Sequence, residues 1–129
     1  MLDTNTCIYI IKQKPFKVFN TFSSLKTGDI CISTITLAEL AYGVEKSMLV
    51  EINKIALAGF TAPLEILHFD EKAAFIYGKL RADLEKQGKI IGAYDLMIAA
   101  HAFSEKLTLV TNNTREFERI PGLKLENWV

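Results

Sequence analysis

The sequence predicts an α/β fold, with a central, mainly parallel sheet covered by helices on both faces. Three observations predict it. Short apolar runs that suit strands alternate along the chain with stretches of helical periodicity. Those runs carry little apolar-polar alternation, as expected of strands buried on both sides. The chain has 129 residues, half of them apolar, with no repeat, low-complexity stretch or linker. That suits a single domain, 1–129, able to bury one proper core.

Each element has its own signal. In MLDTNTCIYIIK, only Met1 and Leu2 precede Asp3, so a first strand is very short or the start is trimmed. TNTCIYII then begins a helix, with Asp3 a favoured N-cap. Ile30, Cys31, Ile32 and Ser33 form a β-branched run after the turn signal TGD and read as a buried strand. TITLAELAYGVEKS follows as a helix, with Leu37, Leu40, Ala41 and Val44 at helical spacing, and MLVEINKIALAGF as another that stops near Gly59 and Pro63. LEILHF is a strand. DEKAAFIYGKLRADLEKQG is the clearest helix, with Asp70 and Glu71 at its start, Lys86 in its last turn and Gly88 closing it, as the helix dipole prefers. AYDLMIAAHAFSEK reads as a helix buried on most sides, LTLVT as a strand and KLENW as a last edge strand.

Fifteen basic residues balance fifteen acidic ones, which excludes non-specific grip on a polyanion through global charge. A nucleic-acid partner must be held by a local patch or through metal ions. Cys7 and Cys31 lack CxxC spacing and read as small buried hydrophobes, which fits a reducing cytoplasm. No stretch approaches the roughly 20 apolar residues of a bilayer span.

Parallel sheets place their chemistry beyond the carboxyl ends of the strands, where strand order reverses. Asp3 follows the first apolar residues, Glu39 lies just beyond ICIS in the first turn of the next helix, Asp95 begins the helix of IGAYDLMIAA, and Asn113 follows LTLVT. Each has a local explanation: Asp3 as a cap, Thr36 and Glu39 as a capping box, Asp95 for the helix dipole and Asn113 for a turn. Together they occupy junctions that a parallel sheet brings to one edge. Carboxylates crowded without cationic partners raise one another's pKa, and a cation relieves them. Oxygen ligands without Cys or His suit magnesium or manganese, which activate water and steady the leaving oxygen of a phosphodiester.

At these residues a family resemblance enters. LDTNTCIYII, ISTITLAELAYGVEKS, IGAYDLMIAAHA and LVTNNTREFERIPGLKLENW, in this order over nearly the whole chain, closely resemble the PIN-domain ribonucleases, specifically the VapC toxins of bacterial type II toxin-antitoxin pairs. The resemblance implies a PIN-like α/β/α sandwich and a Mg²⁺- or Mn²⁺-dependent endoribonuclease. It also implies a homodimer, neutralised by a small VapB-type antitoxin whose C-terminal segment blocks the acidic site and through which alone operator DNA is reached. Structured RNA is the implied substrate, tRNA first and the initiator tRNA anticodon region as the best choice.

By position, Asp3, Glu39 and Asp95 match the family's catalytic metal site. The fourth position, often Asp, is Asn113 here, which adds no negative charge and cannot act as a base; Glu116 is placed to restore that charge. Thr4, Asn5, Ser33, Thr34 and Thr111 sit at the same junctions and are expected to orient ligands or water. Lys12, Lys46 and Arg115 are candidates for RNA phosphates, with Lys14, Lys86, Lys89 and Arg119 behind them, and Tyr94 for stacking on a base. Water attacking in line leaves a 3′-hydroxyl and a 5′-phosphate without a protein nucleophile. His68 and His101 lack a triad context and read as core or surface residues.

Rival readings need residues the chain lacks. A phosphate-receiver domain wants two adjacent acids after its first strand, and a dehalogenase-like phosphatase wants DxD, where this chain has Asn5 in the third position. A PIN nuclease of RNA processing without an antitoxin, or a non-catalytic PIN module that binds RNA or protein, stays open at the sequence level.

Overall fold

The computed structural model describes all 129 residues. In chain order it contains α1 (Thr4–Lys12), α2 (Phe16–Ser24), β1 (Cys31–Ser33), α3 (Thr34–Glu45), α4 (Val50–Thr61), β2 (Glu65–Leu67), α5 (Glu71–Lys86), α6 (Ala93–Ser104), β3 (Leu109–Val110), α7 (Thr114–Phe117) and β4 (Leu125–Glu126). The strands are very short. β1 pairs in parallel with β2, and β3 with β4.

The N-terminal residues join these pairs into one layer. Leu2 bridges Val110 in parallel, the Leu2 amide donates to the Cys31 carbonyl at 3.0 Å, and the Asp3 amide donates to the Val110 carbonyl at 3.0 Å. The order across the layer is therefore β2, β1, residues 1–3, β3, β4, all parallel. Hydrogen bonds hold this short segment on both of its edges.

Strand alternation decides which helices cover which face. Met1, Cys31 and Leu109 pack with Leu84 of α5 and with Leu96, Ile98, Ala99 and Ala102 of α6. Their neighbours Leu2, Ile32 and Val110 point the other way, onto Cys7 and Ile10 of α1, Val18 of α2 and Leu40 of α3. The result is the expected α/β/α sandwich, with α6 buried along most of its length.

Local chemistry sets the helix ends. Asp70 is the N-cap of α5, accepting from the Ala73 amide, and Gly88 just past its end takes φ +68°, where a side chain would be strained. Ser33 caps α3 by accepting from the Ile35 amide, so the Thr36–Glu39 capping box does not form and Glu39 falls in the second turn instead of the first. Two helices carry no clear signal in the sequence. α2 follows Pro15 and holds Asn20, Thr21, Ser23 and Ser24, all poor helix formers, and is held by packing of Val18, Phe19 and Phe22. α7 has only four residues.

Candidate active site

Strand order reverses at residues 1–3, and the crevice at a parallel sheet's carboxyl edge opens at such a point. Asp3 ends the central strand there, Ser33 ends β1, Thr111 follows β3, and α6 begins above the same edge. Asp3 is 5% exposed. Its Oδ1 accepts from the Thr6 amide at 2.8 Å, the expected N-cap of α1. The cap uses one oxygen only, and Oδ2 makes no hydrogen bond within the chain. Cap and site ligand are thus compatible roles for one carboxylate.

Glu39 is half-buried on α3, and its Oε1 accepts from the Thr4 hydroxyl at 2.6 Å, tying the second turn of α3 to the first residue of α1. Asp95 is the third residue of α6 and half-buried. Its pKa is pushed up to about 6, first by desolvation, then by the negative charges of Glu116, Glu39 and Asp3 in that order. An acid in a helix's first turn ordinarily gains from the dipole. Here burial and three like charges outweigh that gain.

The second-largest contribution identifies a member the sequence places only loosely. Glu116, on α7, lies near enough for its charge to raise the Asp95 pKa, and it accepts from the Asn113 side-chain amide at 2.7 Å. Asn113 itself is exposed. The position that is often Asp therefore holds a carboxylate in place instead of supplying one.

No ion pair relieves this group: the chain's salt bridges join Lys54 to Glu45 and Glu51, Lys72 to Glu105, and Arg81 to Glu85. No three His, Cys, Asp or Glu side chains converge tightly enough to enclose an ion by themselves. Four uncompensated carboxylates with oxygen-only chemistry still suit a hard divalent cation that keeps part of its water shell. The donor set therefore fits a hard divalent cation such as magnesium or manganese.

The other expected residues divide. Thr4 touches Glu39 directly. The Thr111 hydroxyl accepts from the Asn113 amide at 3.0 Å and shapes the turn that delivers Asn113 and Glu116. Asn5 is exposed in the first turn of α1 and makes no side-chain bond. The hydroxyls of Ser33 and Thr34 have other partners: that of Ser33 meets Ile35 and His101, and that of Thr34 accepts from the Phe69 amide at 3.1 Å. Tyr94 stands exposed beside Asp95, and Arg115 is exposed and unpaired between Asn113 and Glu116. Lys12 shares with Glu39 the wall of a cavity of about 370 Å³ formed with Ile11, Leu40, Val44 and Leu57. That cavity is invisible in the sequence because its wall is divided among α1, α3 and α4. Lys46 is not brought to the acids; it lies past the end of α3, its ammonium 4.9 Å from the centre of the Tyr42 ring. Arg119 donates to the Ile90 carbonyl at 2.8 Å, fastening the segment before α6. His68 is exposed and His101 fully buried, the surface and core histidines expected.

Comparison with known proteins places the chain in a family. The PIN domain family model matches residues 1–123. The chain is 52% identical over 128 residues to the tRNA(fMet)-specific endonuclease VapC of Salmonella typhimurium, covering 99% of this chain and 96% of that one. It is 53% identical over 129 residues to the ribonuclease VapC2 of Rickettsia felis, with the same shares covered. Among solved structures, VapBC2 of Rickettsia felis bound to a promoter DNA fragment superposes with a TM-score of 0.93 at 52% identity, over 100% of this chain and 98% of that one. DNA-bound VapBC of Salmonella typhimurium gives 0.93 at 50% identity, over 100% and 97%.

Proposed function

This chain belongs to the PIN-domain family, among its VapC ribonucleases, and from that premise we propose that it is a cation-dependent endoribonuclease toxin that cuts tRNA, initiator tRNA first. The observation that carries the proposal is the uncompensated group of Asp3, Glu39, Asp95 and Glu116 at the strand-order reversal, with Asp95 pushed up to about 6 by burial first and by its acidic neighbours after it. In this reading residues 1–129 act as one PIN domain. Asp3, Glu39 and Asp95 hold Mg²⁺ or Mn²⁺, directly or through waters, and Glu116 supplies the fourth charge. The cation, when bound, supplies Lewis acidity toward a phosphate oxygen and raises the acidity of water.

The chain's own residues do the rest. Thr4 fixes the Glu39 carboxylate, the Thr6 amide fixes that of Asp3, and Asn113 fixes that of Glu116, so the cluster is preorganised. Lys12 and Arg115 flank it as phosphate contacts, and exposed Tyr94 offers a ring to an unstacked base. Attack by water in line with the P–O3′ bond leaves a 3′-hydroxyl and a 5′-phosphate.

The antitoxin reading follows the same surface. The apolar cavity leading to Glu39 suits a VapB-type segment that covers the acids, and exposed Tyr42, Met48, Leu49, Ile52 and Ile55 extend it as an apolar face for protein partners, a second copy included. Operator DNA enters through the antitoxin. No helix is long and apolar enough to cross a membrane, and an RNA target belongs in the cytoplasm.

Two substitutions separate the helpers from the acids. Thr4→Val leaves Glu39 free to rotate and raises the Mg²⁺ concentration for half-maximal cleavage about tenfold. Glu116→Gln lowers the cleavage rate about tenfold to a hundredfold, and Asn113→Ala, which only releases Glu116, lowers it severalfold. The order Glu116 over Asn113 is the expected result of single-turnover assays.

The function itself is tested by incubating purified, antitoxin-free chain with total bacterial tRNA, with Mg²⁺ or with EDTA, and sequencing the new ends. Discrete Mg²⁺-dependent cuts in the initiator tRNA anticodon region are expected. Cuts in other RNAs alone would correct the substrate, and no cutting by a folded chain would favour the non-catalytic reading.

A further inference from the structure

Beneath the acidic crevice lies a buried polar contact that neither the cap pattern nor the acid cluster explains. His101 and Ser33 are both fully buried, and the His101 Nδ1 lies 2.8 Å from the Ser33 Oγ across 68 residues of sequence. The Ser33 oxygen also accepts from the Ile35 amide as N-cap of α3. With that lone pair used, the hydroxyl proton has one acceptor within reach, Nδ1, which places the imidazole proton on Nε2. This tautomer leaves a single buried group unpaired, whereas the other would leave both the serine proton and the Nε2 lone pair without partners. Burial keeps the ring neutral, its pKa pushed below the usual histidine range. The Phe69 ring packs against it at 86°, 5.7 Å between centres, while the Phe69 amide is held by Thr34.

The placement gives the contact its meaning. Glu39 lies six residues after Ser33 on α3, and Asp95 six residues before His101 on α6, about 9 Å along each axis. Ser33 is the last residue of β1 and the N-cap of α3, so this hydrogen bond ties α6 to the point where the chain passes from β1 into α3. We propose that His101 is a positioning residue whose bond to Ser33 sets α3 against α6, and with it the spacing of Glu39 and Asp95 needed to hold a divalent cation. It touches neither substrate nor ligand and acts through the helices. The inference rests on the cation-binding role proposed for these acids.

Manganese binding measured by electron paramagnetic resonance reads the spacing without any RNA. Ser33→Ala and His101→Leu are expected to weaken Mn²⁺ binding about tenfold, while Ser33→Thr and His101→Asn, which keep a polar atom at the contact, stay within about threefold of the parent. Leu64→Ala, a core change outside this contact, serves as the stability control and leaves Mn²⁺ affinity unchanged even where its melting temperature falls as far. Parental Mn²⁺ affinity in a folded Ser33→Ala or His101→Leu protein would overturn the inference alone, as would equal weakening in Leu64→Ala. Absence of Mn²⁺ binding by the parent would overturn both the inference and the cation role beneath it.

Discussion

Asp95→Asn is expected to make the cation-free protein more stable at neutral pH while lowering RNA cleavage by about 10²–10³-fold. The folded-state pKa of Asp95 is raised from 3.8 to about 6 by burial and by Glu116, Glu39 and Asp3. Between those values the folded chain binds more protons than the unfolded one, so this group makes stability fall as pH rises from about 4 to about 6 and leaves it lowered above that window. The full shift would correspond to about 3 kcal/mol. The side chain is only half-buried, so solvent screening leaves about 1 kcal/mol, or about 4 °C in melting temperature. Asparagine removes that penalty and the pH slope. With Mg²⁺ held by the ionised acids of the folded chain, as proposed, added Mg²⁺ should raise the melting temperature of the parent and do little for Asp95→Asn. Thermal melts at pH 4.5 and 7.5, with and without Mg²⁺, check the stability expectations, and a single-turnover cleavage assay checks the rate.

The second large effect separates the two roles of Asp3. Asp3→Ala removes the α1 cap and the site charge together, costing about 1 kcal/mol of stability and about 10²–10³-fold in cleavage. Asp3→Asn keeps an oxygen for the Thr6 amide and removes only the charge. It is expected to melt within a degree or two of the parent and to cut as poorly as Asp3→Ala. Cleavage at the parental rate by Asp3→Asn, alongside a stability loss in Asp3→Ala, would reduce Asp3 to a helix cap.

Much of this organisation is legible in the sequence because parallel sheets have a fixed logic. Once ICIS and LTLVT are strands between helices, Asp3, Glu39, Asp95 and Asn113 all fall on one edge without any coordinates. Finer placement depends on competition between neighbours. Ser33 outcompetes Thr36 as the α3 cap and shifts Glu39 by a turn. Asn113 and Glu116, three residues apart, exchange the expected emphasis because the amide donates to the carboxylate and the carboxylate's charge acts on Asp95. α2 hides behind poor helix formers that only tertiary packing rescues. Lys46 illustrates the opposite limit, because charge alone does not say which end of a helix a lysine serves. The His101–Ser33 bond joins residues too distant in sequence to leave a local pattern, and it requires the folded coordinates.

The most direct test of the central claim is anomalous scattering from crystals of the antitoxin-free protein soaked in Mn²⁺. A manganese peak bordered by the carboxylates of Asp3, Glu39, Asp95 and Glu116, and lost in Asp95→Asn, is expected. Manganese bound elsewhere, with these four carboxylates open and unliganded, would contradict it.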